Sequence, residues 1–276
     1  MKNFFGAILF LCIIGSAPAQ VIDNGYANFY QDSSYYVIAD HVNLRENPDT
    51  ASSIICQVPI GTVVRIVANS YKEYTRNGYT SYWQQAVCNN NGQLVEGYIW
   101  GGFLATTVIT SSVDKDLFFM YGVSGITKGE NFSTVKLQVR VSKNNTQLAK
   151  VEVPAVGGLY TYSQAESMGP KGVNGLVDVF KINFSDGYCG GAFGDAYFFW
   201  DGQKLHYINT LYEGFDAPYY ATNTFIFPTD KNGQSGLIIN KSESGYYGDD
   251  DKNHIESSKK ITYKWDGTAL QVVKKK

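Results

Sequence analysis

The chain has 276 residues with 23 basic and 25 acidic side chains, a formal net charge of −2, and so offers no cationic excess with which to grip nucleic acid. Aromatic residues make up 15%, led by 21 tyrosines, and 28 glycines outnumber 7 prolines, which excludes a disordered chain and favours compact β structure rich in tight turns. Its three histidines (His41, His206, His254) are scattered and no cysteine pair has zinc spacing, so neither a metal centre nor a cofactor is expected.

The first nineteen residues read as a secretory signal peptide. Lys2 supplies a minimal positive region, Phe4 to Ile14 an apolar run too short to span a bilayer, and Ala17-Pro18-Ala19 a small-x-small cleavage site before Gln20. Cys12 follows Leu11, where lipoprotein processing demands a small residue, so the expected product is soluble and either secreted or periplasmic. No later segment is apolar enough to predict a membrane span, and the Lys274-Lys275-Lys276 tail is too short for a polybasic membrane patch.

After a polar lead-in over residues 20–34, a run of short alternating segments begins. It reads Val42-Asn43-Leu44-Arg45-Glu46-Asn47-Pro48, then Ile54-Ile55, Gly61-Thr62, a lone Trp83, Gly97-Tyr98-Ile99 and Phe103-Leu104. This order resembles a bacterial SH3 (SH3b) domain over residues 35–105, about a quarter of the chain. The resemblance implies a small SH3-like barrel that binds or positions a partner. Two stretches depart from the family pattern. Residues 69–82 form a longer excursion carrying Tyr71, Tyr74, Tyr79 and Tyr82, and Asn89-Asn90-Asn91-Gly92 makes an extended hairpin tip. Tyr79, Tyr82, Trp83, Tyr98 and Trp100 fall near the groove such a barrel would present, and they are the candidate ligand-binding residues. Cys56 and Cys88 both have inward strand parity, consistent with either a disulfide worth about 3 kcal/mol or two buried thiols.

Residues 106–115, rich in Thr and Ser, read as a linker to a second domain over 116–276 that no family resemblance covers. There Val135, Leu137, Val139 and Val141 alternate with Lys136, Gln138 and Arg140 before Asn144-Asn145, predicting a half-buried hairpin with its polar face outward. Further strands are predicted near 117–123, 177–184, 196–200, 205–211, 224–227, 236–240, 261–265 and 270–273. Phe199-Trp200-Asp201-Gly202 and Lys264-Trp265-Asp266-Gly267 echo each other as Asp-Gly hairpins. Without a sustained helical stripe, the expected class is all-β, a small barrel followed by an antiparallel sandwich, jelly roll or partial propeller.

The chemical candidates are thin. Cys189, in Asp186-Gly187-Tyr188-Cys189-Gly190-Gly191, lacks the helix-forming context of a cysteine peptidase of the NlpC/P60 type, a frequent companion of SH3b modules. Asp178, Asp186, Asp195, Asp201, Glu213 and Asp216 crowd one region, as acids in β-turns do, and only their separations would make a glycosidase pair of any two. Asp230-x-Asn232-x-Gln234 and Asp249-Asp250-Asp251 are weak calcium cues short of six to eight oxygens. Tyr207, Tyr212, Tyr219 and Tyr220 offer a second aromatic face. The expectation is therefore a non-enzymatic exported protein whose barrel recognises a cell-wall fragment, a peptidoglycan peptide or glycan. The alternatives are a cell-wall hydrolase acting through the second domain and a protein that docks another envelope protein.

Overall fold

The computed structural model describes residues 29–130, 133–159, 161–186, 191, 193–248 and 252–274. The expected signal peptide with Cys12, Cys189, Asp249-Asp250-Asp251 and the last two lysines lie outside these residues. Within them the fold is all-β and antiparallel, and helix is confined to one short 3-10 turn at Gly101–Phe103.

The first sheet holds β1 (Ser34–Tyr36), β2 (Val42–Arg45), β3 (Ile54–Val58), β4 (Val63–Arg76), β5 (Tyr79–Asn90) and β6 (Gln93–Trp100), in the order β1-β4-β5-β6-β2-β3. Its inner face buries Val42, Leu44, Val58, Val64, Ile66, Ala86, Cys88 and Ile99. Glycine 97 makes the curl possible where β6 meets β2. A Cβ there would stand 2.7 Å from Ile55 Cδ1 and 2.8 Å from Arg45 O and Leu44 Cγ. The aromatic excursion over 69–82 is a continuation of β4 and β5 into a long hairpin, interrupted by a bulge between Asn69 and Glu73. Its tip, Asn77-Gly78, has positive φ at both residues, the geometry of a type I′ turn.

Four strands follow: β7 (Thr107–Thr110), β8 (Leu117–Lys128), β9 (Ser133–Lys143) and β10 (Thr146–Pro154), in the order β10-β9-β8-β7. Four residues of the expected linker, Thr107–Thr110, thus form an edge strand. Thr, Val and Ile are β-branched and suit a pleated surface, so a run that looked like a tether by its hydroxyls pairs with β8 from Thr107↔Tyr121 to Thr110↔Phe118. The Asn144-Asn145 turn between β9 and β10 has φ of 49° and 58°, as the hairpin reading required.

The third sheet is an uninterrupted meander of β11 (Tyr162–Ser167), β12 (Asp178–Ser185), β13 (Phe193–Trp200), β14 (Leu205–Asp216), β15 (Tyr219–Ile226), β16 (Ile238–Tyr247), β17 (Asn253–Trp265) and β18 (Leu270–Val272). Strand β11 was not anticipated from sequence. The four-stranded sheet lies face to face with β12 and β13, Phe119 stacking on Phe180 at 5.1 Å, which makes this part a sandwich. Beyond β14 the long sheet curls back. Val179, Tyr197 and Phe199, on the opposite face of β12 and β13, meet Phe225, Phe227, Ile238 and Trp265. Strand β13 is therefore buried on both faces, which is why Ala196 to Trp200 is continuously apolar. Both Asp-Gly hairpins form in the same register. Trp200 pairs with Leu205 and Trp265 with Leu270, and each aspartate accepts two backbone N–H groups of its own loop.

The two expected domains share one core cluster at their junction, beside the first sheet's own. Tyr79, Trp83 and Trp100 of the first sheet join Phe119, Leu137, Phe180 and Phe198 in a single apolar cluster. The β4–β5 tip fixes the junction further: Asn77 O accepts from Ile126 N at 2.9 Å, and a Cβ on Gly78 would fall 2.2 Å from Ile126 O.

Candidate functional site

Strand parity decides what β5 and β6 present to each side. Ala86, Cys88 and Ile99 turn into the first sheet's own core, whereas Trp83, Tyr98 and Trp100 turn toward the sandwich. Trp100 is the hub of that junction. Its indole N–H donates to the carbonyls of Tyr74 and Ser81, each at 3.0 Å, and its ring meets Tyr74 edge-on at 5.3 Å and Phe103 at 5.2 Å. Of the five candidate residues, Tyr79, Trp83 and Trp100 are each less than 5% exposed and serve mainly as core, Tyr98 is half-buried against it, and Tyr82 is 38% exposed.

They do not converge on one groove. Trp83 and Trp100 form part of the floor of a cleft of about 610 Å³ between the first sheet and the outer face of β8–β10, whereas Tyr79 and Tyr82 line a separate groove of about 480 Å³. In the smaller groove the buried Gln84 side-chain oxygen has no protein partner; outside it, the exposed Tyr71 meets Tyr82 edge-on at 6.1 Å.

The larger cleft is the best-furnished site. Four cationic side chains (Arg45, Arg76, Arg140 and Lys150) line it against two carboxylates, Asp40 and Glu152, in a chain whose overall charge is negative. Arg76 lies over the Phe103 ring at 5.6 Å, and Arg45 Nη1 donates to Ser52 O at 2.5 Å. Asp40 pairs with His41 at 3.0 Å and Glu152 with Lys150 at 2.8 Å, all four well exposed. Arg140, by contrast, is 9% exposed. Its Nε and Nη2 donate to Gln138 Oε1 at 3.0 and 2.6 Å, and its Nη1 donates to Gln147 Oε1 at 2.6 Å. Burial pulls the guanidinium below its ordinary pKa, against a smaller upward pull from Asp40 and Glu152.

Arginine 140 and Gln138 were expected to face solvent. The alternation along β9 is as predicted, but the long β4–β5 hairpin and the first sheet roof over that polar face. Alternation separates the two faces of a strand and is silent about whether a further layer covers the polar one. The only sequence signal of such a layer was the surplus of aromatic residues in the 69–82 excursion.

The other candidates have structural partners. Cys56 and Cys88 are free thiols in hydrogen-bond contact with each other; burial raises both, Cys88 to about 11. Asp178 is fully buried and accepts from Ser111 Oγ, Ser167 Oγ and Gly169 N at 2.5, 2.6 and 2.9 Å, riveting the end of β7 to β11 and β12. Asp195 meets Lys181 and Asn183, and Asp186 accepts from Thr161 Oγ1. Burial raises Glu213. At the calcium cue, Asp230 pairs with the Lys171 ammonium and accepts from Phe227 N. His206 pairs with Asp201 at 2.7 Å, and His254 stacks on Tyr246. No three His, Cys, Asp or Glu residues converge among the described residues. Tyr212 and Tyr219 are exposed at the far end of the long sheet, whereas Tyr220 is buried and Tyr207 tilts against Phe198. No family model matches this chain, and neither a curated protein nor a solved structure is significantly similar to it.

Proposed function

We propose that this is an exported, non-enzymatic binding protein that holds a cell-envelope ligand, a peptidoglycan peptide or wall glycan, in the cleft between the SH3b-like sheet and the outer face of β8–β10. The observation that carries the reading is the cleft itself. Its volume of about 610 Å³ lies in the range of small-ligand sites, and its lining combines an aromatic floor (Trp83, Trp100, Phe103) with amides and cations able to orient a polar ligand. The resemblance of residues 35–105 to SH3b modules, which bind or position envelope components, supports the same choice.

Titration calorimetry of the full chain with soluble peptidoglycan fragments is expected to give saturable binding with Kd on the order of 1 μM, about −8 kcal/mol. Gln147→Ala and Arg76→Ala, at the cleft, should both weaken it. Absence of saturable binding to wall peptides and glycans overturns the reading, as does binding that neither substitution changes. Clearing of peptidoglycan in a zymogram that disappears in Cys189→Ala would replace it with a hydrolase.

A further inference from the structure

We propose that the cleft selects ligands bearing a free carboxylate, which the buried Arg140 guanidinium receives. This rests on the cleft being the ligand site and adds the chemistry of what enters it.

A guanidinium has five N–H donors and keeps its charge in proteins. At Arg140 three of those donors are taken by the side-chain oxygens of Gln138 and Gln147, so the fork is held in a fixed orientation by neutral acceptors that leave its charge uncompensated. No carboxylate among the described residues hydrogen-bonds or ion-pairs with it. The acids that act on it electrostatically, Asp40 and Glu152, are committed to His41 and Lys150. Removing a cation from water without a counter-ion costs several kcal/mol. The expense is recovered when an anion completes the pair, and the two donors left over match the two oxygens of a carboxylate.

The rest of the lining points to a peptide as the carrier of that carboxylate. The Gln147 side-chain N–H groups are donors suited to a peptide backbone, while Trp100 and Phe103 provide an apolar floor for a side chain. The ligand class is therefore an amino-acid derivative or short peptide with a free carboxylate, its acid end inward at Arg140.

The test compares a wall stem peptide with its fully methyl-esterified form by calorimetry on the unaltered full chain. The free acid is expected to bind about ten- to a hundredfold more tightly than the ester, and excess inorganic phosphate should not displace it. Arg140→Gln should abolish the difference between acid and ester, and Arg140→Lys, which keeps the charge but loses the fork, should restore part of it. Equal binding of acid and ester, both still weakened by Arg76→Ala, overturns the carboxylate inference and leaves the cleft reading standing. Binding of neither peptide overturns both. Displacement of the acid by phosphate reassigns Arg140 to a different anion and also overturns it. The ester comparison needs no substitution, so a misfolded Arg140 variant does not blunt the test.

Discussion

Two aromatic-rich regions of this molecule are built for different ends. At the junction of the first sheet and the sandwich, Tyr79, Trp83 and Trp100 are almost wholly buried, and polar groups held in fixed positions stand around them. At the far end of the long sheet, Tyr212, Phe215, Tyr219 and Tyr247 are 44–60% exposed and meet mainly other rings, as in the contacts of Phe215 with Tyr247 and of Tyr219 with Tyr246. Aromatic content alone would rank the two regions as equals. What separates them is a second layer, which at the junction turns aromatic surface into core and leaves beside it a cleft with a buried charge.

The sharpest way to break this comparison is to truncate the hub. Trp100→Ala removes a ring packed against Tyr74, Tyr79 and Phe103 and leaves two carbonyls without their indole donor. The expected loss is about 3–5 kcal/mol in urea denaturation, in a single transition. A loss under about 1 kcal/mol, or unfolding of the first sheet apart from the sandwich, would show that the junction is not continuous core.

Alkaline pH probes the junction and the first sheet's own core without mutation. Burial pushes Tyr79 and Tyr121 up to about 12 and Cys88 to about 11, from ordinary values of 10.0 and 9.0. In each case the folded state favours the neutral form. The contribution is thus fully present below the ordinary value and is lost as pH rises through the folded one. The two tyrosines contribute on the order of 2–3 kcal/mol each. The melting temperature should therefore fall steeply between pH 9 and 12, and Tyr79→Phe should flatten that fall. A flat profile over this window would mean that these hydroxyls are hydrated in solution.

Glycine substitutions sharpen the contrast at the level of the backbone. Gly97→Ala forces a Cβ to within 2.8 Å of Arg45 O, a backbone atom that cannot swing aside, and should cost about 1–3 kcal/mol. Gly214→Ala, in the far sheet, would meet only Ala221 Cβ at 3.9 Å and should change stability by less than about 1 kcal/mol. Equal effects at both positions would remove the distinction between a crowded crossing and an open sheet.

How much of this was legible from sequence depends on what each signal encodes. Local turn chemistry was readable, because Asn144-Asn145 and the two Trp-Asp-Gly loops specify their hairpins within a few residues. Alternation was readable for β8 to β10, and the antiparallel all-β class followed from it. Strand β7 was misread because its threonines were weighed as polar rather than as β-branched. Strand β11 escaped because its six residues, Tyr162–Ser167, carry only Tyr162 and Ala165 as apolar positions. The candidate site was half legible. Trp83 and Trp100 were picked out as aromatic residues, but Arg140 was assigned to solvent, since only long-range packing puts a roof over the polar face of β9.

The smallest expected effect tests the other half of the comparison. Tyr219 is 59% exposed, and its ring meets Tyr246 edge-on at 6.3 Å, across the ladder that pairs the two residues. A cross-strand pair of this kind is worth about 0.2–1 kcal/mol, so Tyr219→Ala should lower stability by no more than that and leave peptide binding in the cleft unchanged. Should it instead abolish ligand binding while the fold stays intact, the recognition surface would lie on the far sheet. Preorganised polar groups beside buried rings would then count for less here than a row of open aromatic faces.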